Sequence, residues 1–347
     1  MSGLKSGLRF VNNWALPISM VVGVVSYFVY VNIHALDGTH QLMSDIISVI
    51  QPGLIFMMLF FAFCKVEPKA LRPHGWQLKL IGIQAITFIL LALPIIYVPT
   101  IPGRVVIESA MICMICPTAT AASVVTTKLH GNASCVVSYT CVINLVAALL
   151  IPSVVSLLHS GANNLDFITS FTIIIGRVFP LLILPLLLAF GVRYMLPKVH
   201  HYLASISSIS FYLWTICLAI SIAIATKAIM HSHETVLNYV GIALVSAIAC
   251  ALQFYLGRVV GRHHGEPIAG AQSLGQKNTA FAIWVAYTFM NPVTALAGGF
   301  YLVWHNIVNS WQLYKERKRK RKQIIYEKSN STLYFVVACI VDACSTS

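Results

Sequence analysis

The sequence predicts an all-α integral membrane chain of ten transmembrane helices, on three observations. Its 347 residues are 58% hydrophobic and only 10% charged, with a mean hydropathy of +0.81. Its apolar residues gather into ten segments separated by short linkers. Its cations fall almost entirely on alternate linkers, as the positive-inside rule requires. A soluble domain carries about 25% charged residues, so an ordinary soluble enzyme is excluded. Disorder, which needs low hydrophobicity, is excluded as well. The net charge of +13, from 23 Lys+Arg against 10 Asp+Glu, does not point to nucleic acid. Seven of those cations form one run, Lys315 and residues 317–322, of the kind that anchors a cytoplasmic juxtamembrane segment.

The segments run 15–33, 46–64, 78–99, 104–128, 133–158, 167–195, 203–226, 236–261, 267–289 and 292–312. Each has room for, or approaches, the ~20 apolar residues that cross hydrocarbon. The first is a retained helix, because no small-residue cleavage site follows it. The linkers are punctuated by Pro, Gly, Asn and His, as at Glu67-Pro68 and Gly161-Ala162-Asn163-Asn164. With the N-terminus in the cytoplasm, the inner side holds Lys5, Arg9, Lys65, Lys69, Arg72, Lys79, Lys128, Arg193, Lys198, Arg258, Arg262 and the C-terminal run. The outer side holds only Arg104 and Lys227. Both termini are therefore cytoplasmic. The sequons at Asn132 and Asn330 fall on that inner side, where glycosylation does not occur. Cys64, Cys113, Cys116, Cys135, Cys141, Cys217 and Cys250 lie in apolar segments and read as small buried residues; the CxxC spacing of Cys113 and Cys116 has no Cys or His cluster beside it. Beyond residue 312 comes a basic tail, 313–347, whose apolar stretch Leu333–Cys344 is too short to span.

Five segments plus five predict an internal duplication within one transmembrane domain, 1–312, with repeats 15–158 and 167–312. An odd number of spans inserts the second repeat upside down, which is the inverted-repeat layout of secondary transporters. The fourth segment of each half is interrupted. Segment four carries Cys116-Pro117-Thr118, and segment nine carries Gly270, Gly275 and the polar stretch 272–278. Lipid cannot satisfy free backbone groups, so broken helices occur only where protein or water covers them. Each break offers a half-helix N-terminus that attracts anions and a C-terminus that attracts cations. Thr118 and Asn278 suit the N-cap of the second halves. The alternative for Pro117 is a kink filled by packing.

The residues at these breaks resemble the bile acid:sodium symporter family. The resemblance rests on Cys116-Pro117-Thr118-Ala119-Thr120-Ala121-Ala122-Ser123-Val124, followed by Lys128-Leu129-His130-Gly131-Asn132. It continues in Gln272-Ser273-Leu274-Gly275-Gln276-Lys277-Asn278-Thr279-Ala280 and in Phe300-Tyr301-Leu302-Val303-Trp304-His305-Asn306. It implies a ten-helix fold in which segments one, two, six and seven form a panel. Segments three to five and eight to ten form a core, with segments four and nine crossing at their breaks. It implies import of organic anions, bile acids or other carboxylates and sulfates, coupled to sodium. The sodium positions that it implies are Gln84, Ser123, Thr140, Gln272 and Gln276.

The chain departs from that pattern where sodium would sit. The family's Glu at the start of the segment-nine motif is Gln272 here, its Ser-Asn pair in segment four is Ala122-Ser123, a segment-five Ser is Val136, and the Asn after Gln276 is Lys277. Losing a carboxylate and gaining an ammonium disfavours a second cation, so Lys277 can itself be the cation. It is expected to face the carbonyls of the half-helix ending near Gly275, or the oxygens of Gln272, Gln84 or Thr140. Neither Glu266, ~16 Å along the helix, nor Glu108, ~20 Å from the crossover, is an evident partner. Lys277 then either releases its proton during a cycle or pairs with an anionic substrate. The bland alternative is a lysine that snorkels to a wet cavity. Arg177 lies ~15 Å deep if its helix starts near Phe167, or at the outer interface if 179–196 alone spans.

The expected site is Lys277, Gln272, Gln276, Asn278, Thr118, Thr120, Ser123 and Thr140, with Gln84 and Arg177. The expected partners are an organic anion, a proton or sodium as coupling ion, and the lipid bilayer of the cell membrane, a bacterial inner membrane. No cofactor and no nucleic acid is expected. His305 reads as a structural hydrogen-bonding residue, while His130 and Asn132 shape the loop between segments four and five. No His-Glu-x-x-His pair, nucleophile elbow or paired intramembrane carboxylates point to an enzyme. A receptor that keeps the fold without transport is the remaining alternative class.

Overall fold

A computed structural model describes residues 2–68, 72–159, 166–206 and 209–345. The 161–164 linker and Lys69 lie outside the described residues. Thirteen α-helices are present among the described residues, with no β-strand. They are α1 Ser2–Asn32, α2 His40–Phe63, α3 Gly75–Tyr97, α4 Arg104–Ile115, α5 Ala121–Lys128, α6 Ala133–His159 and α7 Phe167–Met195. After them come α8 Pro197–Ser205, α9 Ile209–Met230, α10 Val236–Arg262, α11 Pro267–Gly275, α12 Thr279–Phe289 and α13 Ala295–Ser345.

Six of these, α2, α3, α6, α7, α9 and α10, are long and apolar enough to cross a membrane. Two shorter apolar stretches, Pro17–Asn32 in α1 and Thr279–Phe289, accompany them. Segments four and nine are each two half-helices, α4 with α5 and α11 with α12.

Local chemistry sets the helix starts. Asp166 begins α7 by accepting from the Thr169 N–H, and Thr235 begins α10 by accepting from that of Asn238. His74 and Gln77 form a reciprocal capping box at the start of α3. Pro17, Pro52, Pro94, Pro152, Pro180 and Pro185 sit inside continuous helices. A proline removes one N–H and crowds one carbonyl; only where other groups claim the freed carbonyls, as at Pro117, does the helix stop.

Three boundaries differ from the sequence expectation. The first helix starts at Ser2 rather than 15, a short amphipathic helix α8 precedes α9, and the last helix runs on to Ser345. The basic run and the apolar stretch beyond it are therefore helical; the Lys, Arg, Gln and Glu of the run are good helix formers.

The chain divides into two units, Met1–His305 and Asn306–Ser347. Within the first, α1 packs on α9, and α2 packs on both α7 and α9. α4 packs on α3 and α10, α11 lies along α10 and touches α5 and α6, α6 covers α3 and α5 and also packs on α7, and α12 touches α9 and α2.

The α10–α11 contact is close because glycines line it. A Cβ on Gly270 would meet the backbone oxygen of Gly257, and one on Gly257 would meet that of Gly270. Gly270 is therefore a packing residue inside α11, not part of the interruption expected there. The break falls after Gly275.

Candidate functional site

The two breaks meet. Thr118 and Lys277 form an isolated antiparallel bridge. The Ala119 N–H donates to the Gln276 carbonyl at 2.9 Å, and the Asn278 N–H to the Pro117 carbonyl at 2.8 Å. Each interrupted strand of backbone thus satisfies part of the other, which buried peptide groups require.

The α4 end leaves the carbonyls of Cys113, Met114, Ile115 and Cys116 without the helical partners that residues 117–120 would supply. Each has a side-chain donor. Gln253 Nε2 reaches Cys113 O at 3.1 Å, Lys277 Nζ reaches Met114 O at 3.3 Å, and Gln84 Nε2 reaches Ile115 O at 2.9 Å and Cys116 O at 3.1 Å. The α11 end is closed in the same way. The Thr118 hydroxyl donates to Ser273 O, and the Tyr301 hydroxyl donates to Gly275 O at 2.8 Å.

The arrangement is reciprocal: Thr118 of the first break caps α11, and Lys277 of the second caps α4. This corrects two expectations. Lys277 faces the carbonyl end of α4, not that of the half-helix ending at Gly275, because the crossing directs each side chain onto the opposite strand. Thr118 is not the N-cap of α5, which starts only at Ala121; its hydroxyl instead donates to Ser273 O. Thr120 takes the N-cap position of α5, without a side-chain cap bond. Asn278 does cap α12, its side chain accepting from the Phe281 N–H at 3.3 Å.

Lys277 is 1% exposed. Among the described residues no carboxylate pairs with it, and the titratable side chains around it are the thiols of Cys113, Cys116 and Cys250. The acids considered for it are engaged elsewhere. Glu108 accepts from Arg104 Nε at 2.7 Å, the Asn291 N–H at 3.3 Å and the Thr294 hydroxyl at 3.0 Å. Glu266 accepts from Asn132 Nδ2 at 3.0 Å. What remains for the ammonium is the partial negative charge of the α4 C-terminus, whose dipole favours a cation there.

The other expected site residues divide into two groups. Gln84, Thr140, Gln272, Gln276 and Asn278 are buried. Gln84 uses both ends of its amide, since its Oε1 accepts from the Tyr139 hydroxyl at 2.9 Å. Thr140 donates to Val136 O and Ser123 to Thr120 O, both local backbone carbonyls. Gln276 Oε1 is buried and has no hydrogen-bond partner among the described residues. Thr120 and Ser123 are half-buried at the start of α5. Arg177 is not brought to the crossover by any contact: it is exposed on α7, without a hydrogen bond or ion pair among the described residues.

Gln253 and Tyr301 were missed from sequence. Gln253 Nε2 also donates to the Tyr301 hydroxyl at 3.1 Å, so a chain of bonds runs from α10 through Tyr301 to the end of α11. The signal was available: Gln253 is an amide well inside an apolar span, and such residues mark interior positions. His130, with φ 62°, and Asn132, which accepts from the Ser134 N–H, do form the turn into α6. His305 is buried with its ring edge-on to Tyr301, and its Nδ1 has no partner among the described residues. A cavity of about 510 Å³, lined by His130, Asn132, Glu266 and Ile268, lies at the connecting loops and does not reach the crossover.

The Sodium Bile acid symporter family matches residues 51–232, just over half the chain. The chain belongs to the sodium bile acid symporter family. A relative named as an uncharacterized sodium-dependent transporter, YocS of Bacillus subtilis strain 168, is 23% identical over 288 residues, which is 81% of this chain and 86% of that protein. The family likeness and the apolar helices make this a multi-pass membrane protein of a transporter family.

Proposed function

We propose that the chain is a secondary active transporter of a small or medium organic anion, bile-acid-like, a carboxylate or a sulfate, with Lys277 standing in place of a bound cation. The observation that carries this is the Lys277 ammonium at the carbonyl end of α4, buried and without a carboxylate among the described residues. A fixed charge at the meeting of two broken helices is where ion and substrate sites of inverted-repeat transporters lie. Flux is then sodium-independent or linked to protons.

In this account ten spans cross the cell membrane with both termini cytoplasmic, the short apolar helices and the paired half-helices completing the six long ones. The repeats 15–158 and 167–312 are inverted, and a core of α3–α6, α10–α12 and the part of α13 up to residue 312 rocks against a panel of α1, α2, α7 and α9. The packing of α1 and α2 on α9, and of α2 on α7, suits such a panel. The anion sits beside Lys277, Thr118, Thr120, Ser123, Thr140, Gln272, Gln276 and Asn278, near the α12 N-terminus, whose dipole favours negative charge. Arg177 supplies a second cation from the panel.

A sodium-coupled symporter is the second reading. It is favoured by the name of the Bacillus relative and by the unpartnered Gln276 Oε1. Against it, Gln84 Oε1 already accepts from Tyr139, and the Lys277 ammonium lies at the α4 carbonyl end where a cation would be favoured. Sealed vesicles bearing the protein, loaded with an unlabelled bile acid, dicarboxylate or aryl sulfate, test the proposal. Saturable counterflow of the labelled anion without sodium supports it. Binding without flux for every anion would instead indicate a non-transporting receptor.

A further inference from the structure

Helix α13 carries a feature that transport does not use. Trp311 is 55% exposed and Tyr314 63% exposed. One turn on, Lys315, Arg317, Lys318, Arg319 and Lys320 are all exposed, and the sequence adds Arg321 and Lys322. Trp311, Tyr314, Lys315 and Lys318 have i, i+3, i+4, i+7 spacing and so share one face. The Lys315 ammonium lies 3.7 Å from the centroid of the Trp311 ring.

The acid within this stretch, Glu316, is bonded to Arg319 at 3.0 Å. Lys315, Lys318 and Lys320 have no ion pair among the described residues. The order along the helix is exposed aromatics, then cations. Aromatic rings favour the membrane–water boundary, and juxtamembrane cations favour anionic lipid headgroups.

We propose that the 311–320 stretch of α13 is a binding segment for anionic phospholipid headgroups. The aromatics distinguish this from attraction to any polyanion: Trp311 and Tyr314 need an apolar phase beside the charged one, which lipid offers and nucleic acid in solution does not. The proposal rests on α13 reaching the bilayer surface and is independent of any transport cycle.

The test uses the full-length protein in a neutral detergent, with native mass spectrometry counting bound phosphatidylglycerol against phosphatidylcholine. Each basic residue near an anionic surface contributes a factor of about five in affinity. Combining Lys315→Gln, Lys318→Gln and Lys320→Gln is therefore expected to weaken phosphatidylglycerol retention of the order of a hundredfold, with an unchanged melting temperature. Arg317→Lys with Arg319→Lys keeps the charge and is expected to retain it. Trp311→Ala is expected to weaken it less than the triple change. Equal retention of the two lipids would overturn the proposal, as would a triple variant that binds like the parent. Full displacement by 10 mM inorganic phosphate, or tighter binding of a short single-stranded oligonucleotide, would assign the surface to a soluble polyanion and overturn it too.

Discussion

Replacing Lys277 by Met separates a lysine kept for function from one kept for stability. The two side chains have similar length, so the site stays filled. Burying an ion costs several kcal/mol even after relaxation. At this site the offset is the α4 carbonyl end. A helix terminus contributes up to about 2 kcal/mol in a partly buried setting, and a hydrogen bond to a charged group contributes about 1.5–3 kcal/mol, part of which is the same interaction. Met removes both the cost and the offset and leaves Met114 O without its donor, a further loss of about 1 kcal/mol. The balance predicts that Lys277→Met is between neutral and about 2 kcal/mol more stable. Its counterflow activity is expected to be lost. Thermal unfolding of the purified variant and anion counterflow in proteoliposomes read the two effects separately. A variant destabilised by more than about 3 kcal/mol would make Lys277 chiefly a helix cap. A variant that transports at the parent rate would remove the cation from the mechanism.

Three further outcomes follow from the geometry. Gly270→Ala drives a methyl group into the Gly257 backbone oxygen, which cannot rotate away, so it is expected to cost about 1–3 kcal/mol or more as measured by melting temperature, whereas Gly82→Ala, with open space, is not. Glu108→Ala strips Arg104, the Asn291 N–H and Thr294 of their shared acceptor; a loss of about 2–3 kcal/mol is expected, and Glu108→Gln recovers part of it. Arg177→Gln is expected to raise KM for the anion severalfold with kcat retained in initial-rate uptake, since an exposed panel cation contributes binding without touching the crossover.

The break positions were legible because they depend on local chemistry. Pro117 cannot donate, and the run from Gln272 to Asn278 cannot face lipid. The Asn278 cap was legible for the same reason, being a bond within four residues. The partner of Lys277 was not legible. Which carbonyl end a side chain meets depends on how two distant breaks cross, and sequence spacing carries no such information. The shifted start of α5 has the same origin, because the crossing holds Thr118 against Ser273 O, 155 residues away. Gly270 shows the converse error: a glycine read as a breaker is a contact residue when another backbone lies against it. The last helix was cut short because the cations end the apolar pattern, although they do not end the helix.

The central claim is that Lys277 replaces the bound sodium. It is tested most directly by the melting temperature of the purified protein in sodium chloride and in choline chloride, at matched ionic strength, between pH 5.5 and 9. A ligand at ~100 times its dissociation constant adds about 2.7 kcal/mol, so a surviving sodium site is visible without any substrate. The account predicts no difference between the two salts, and a pH dependence that disappears in Lys277→Gln. A clear sodium-specific rise in the parent protein would contradict it and restore sodium as the coupling ion.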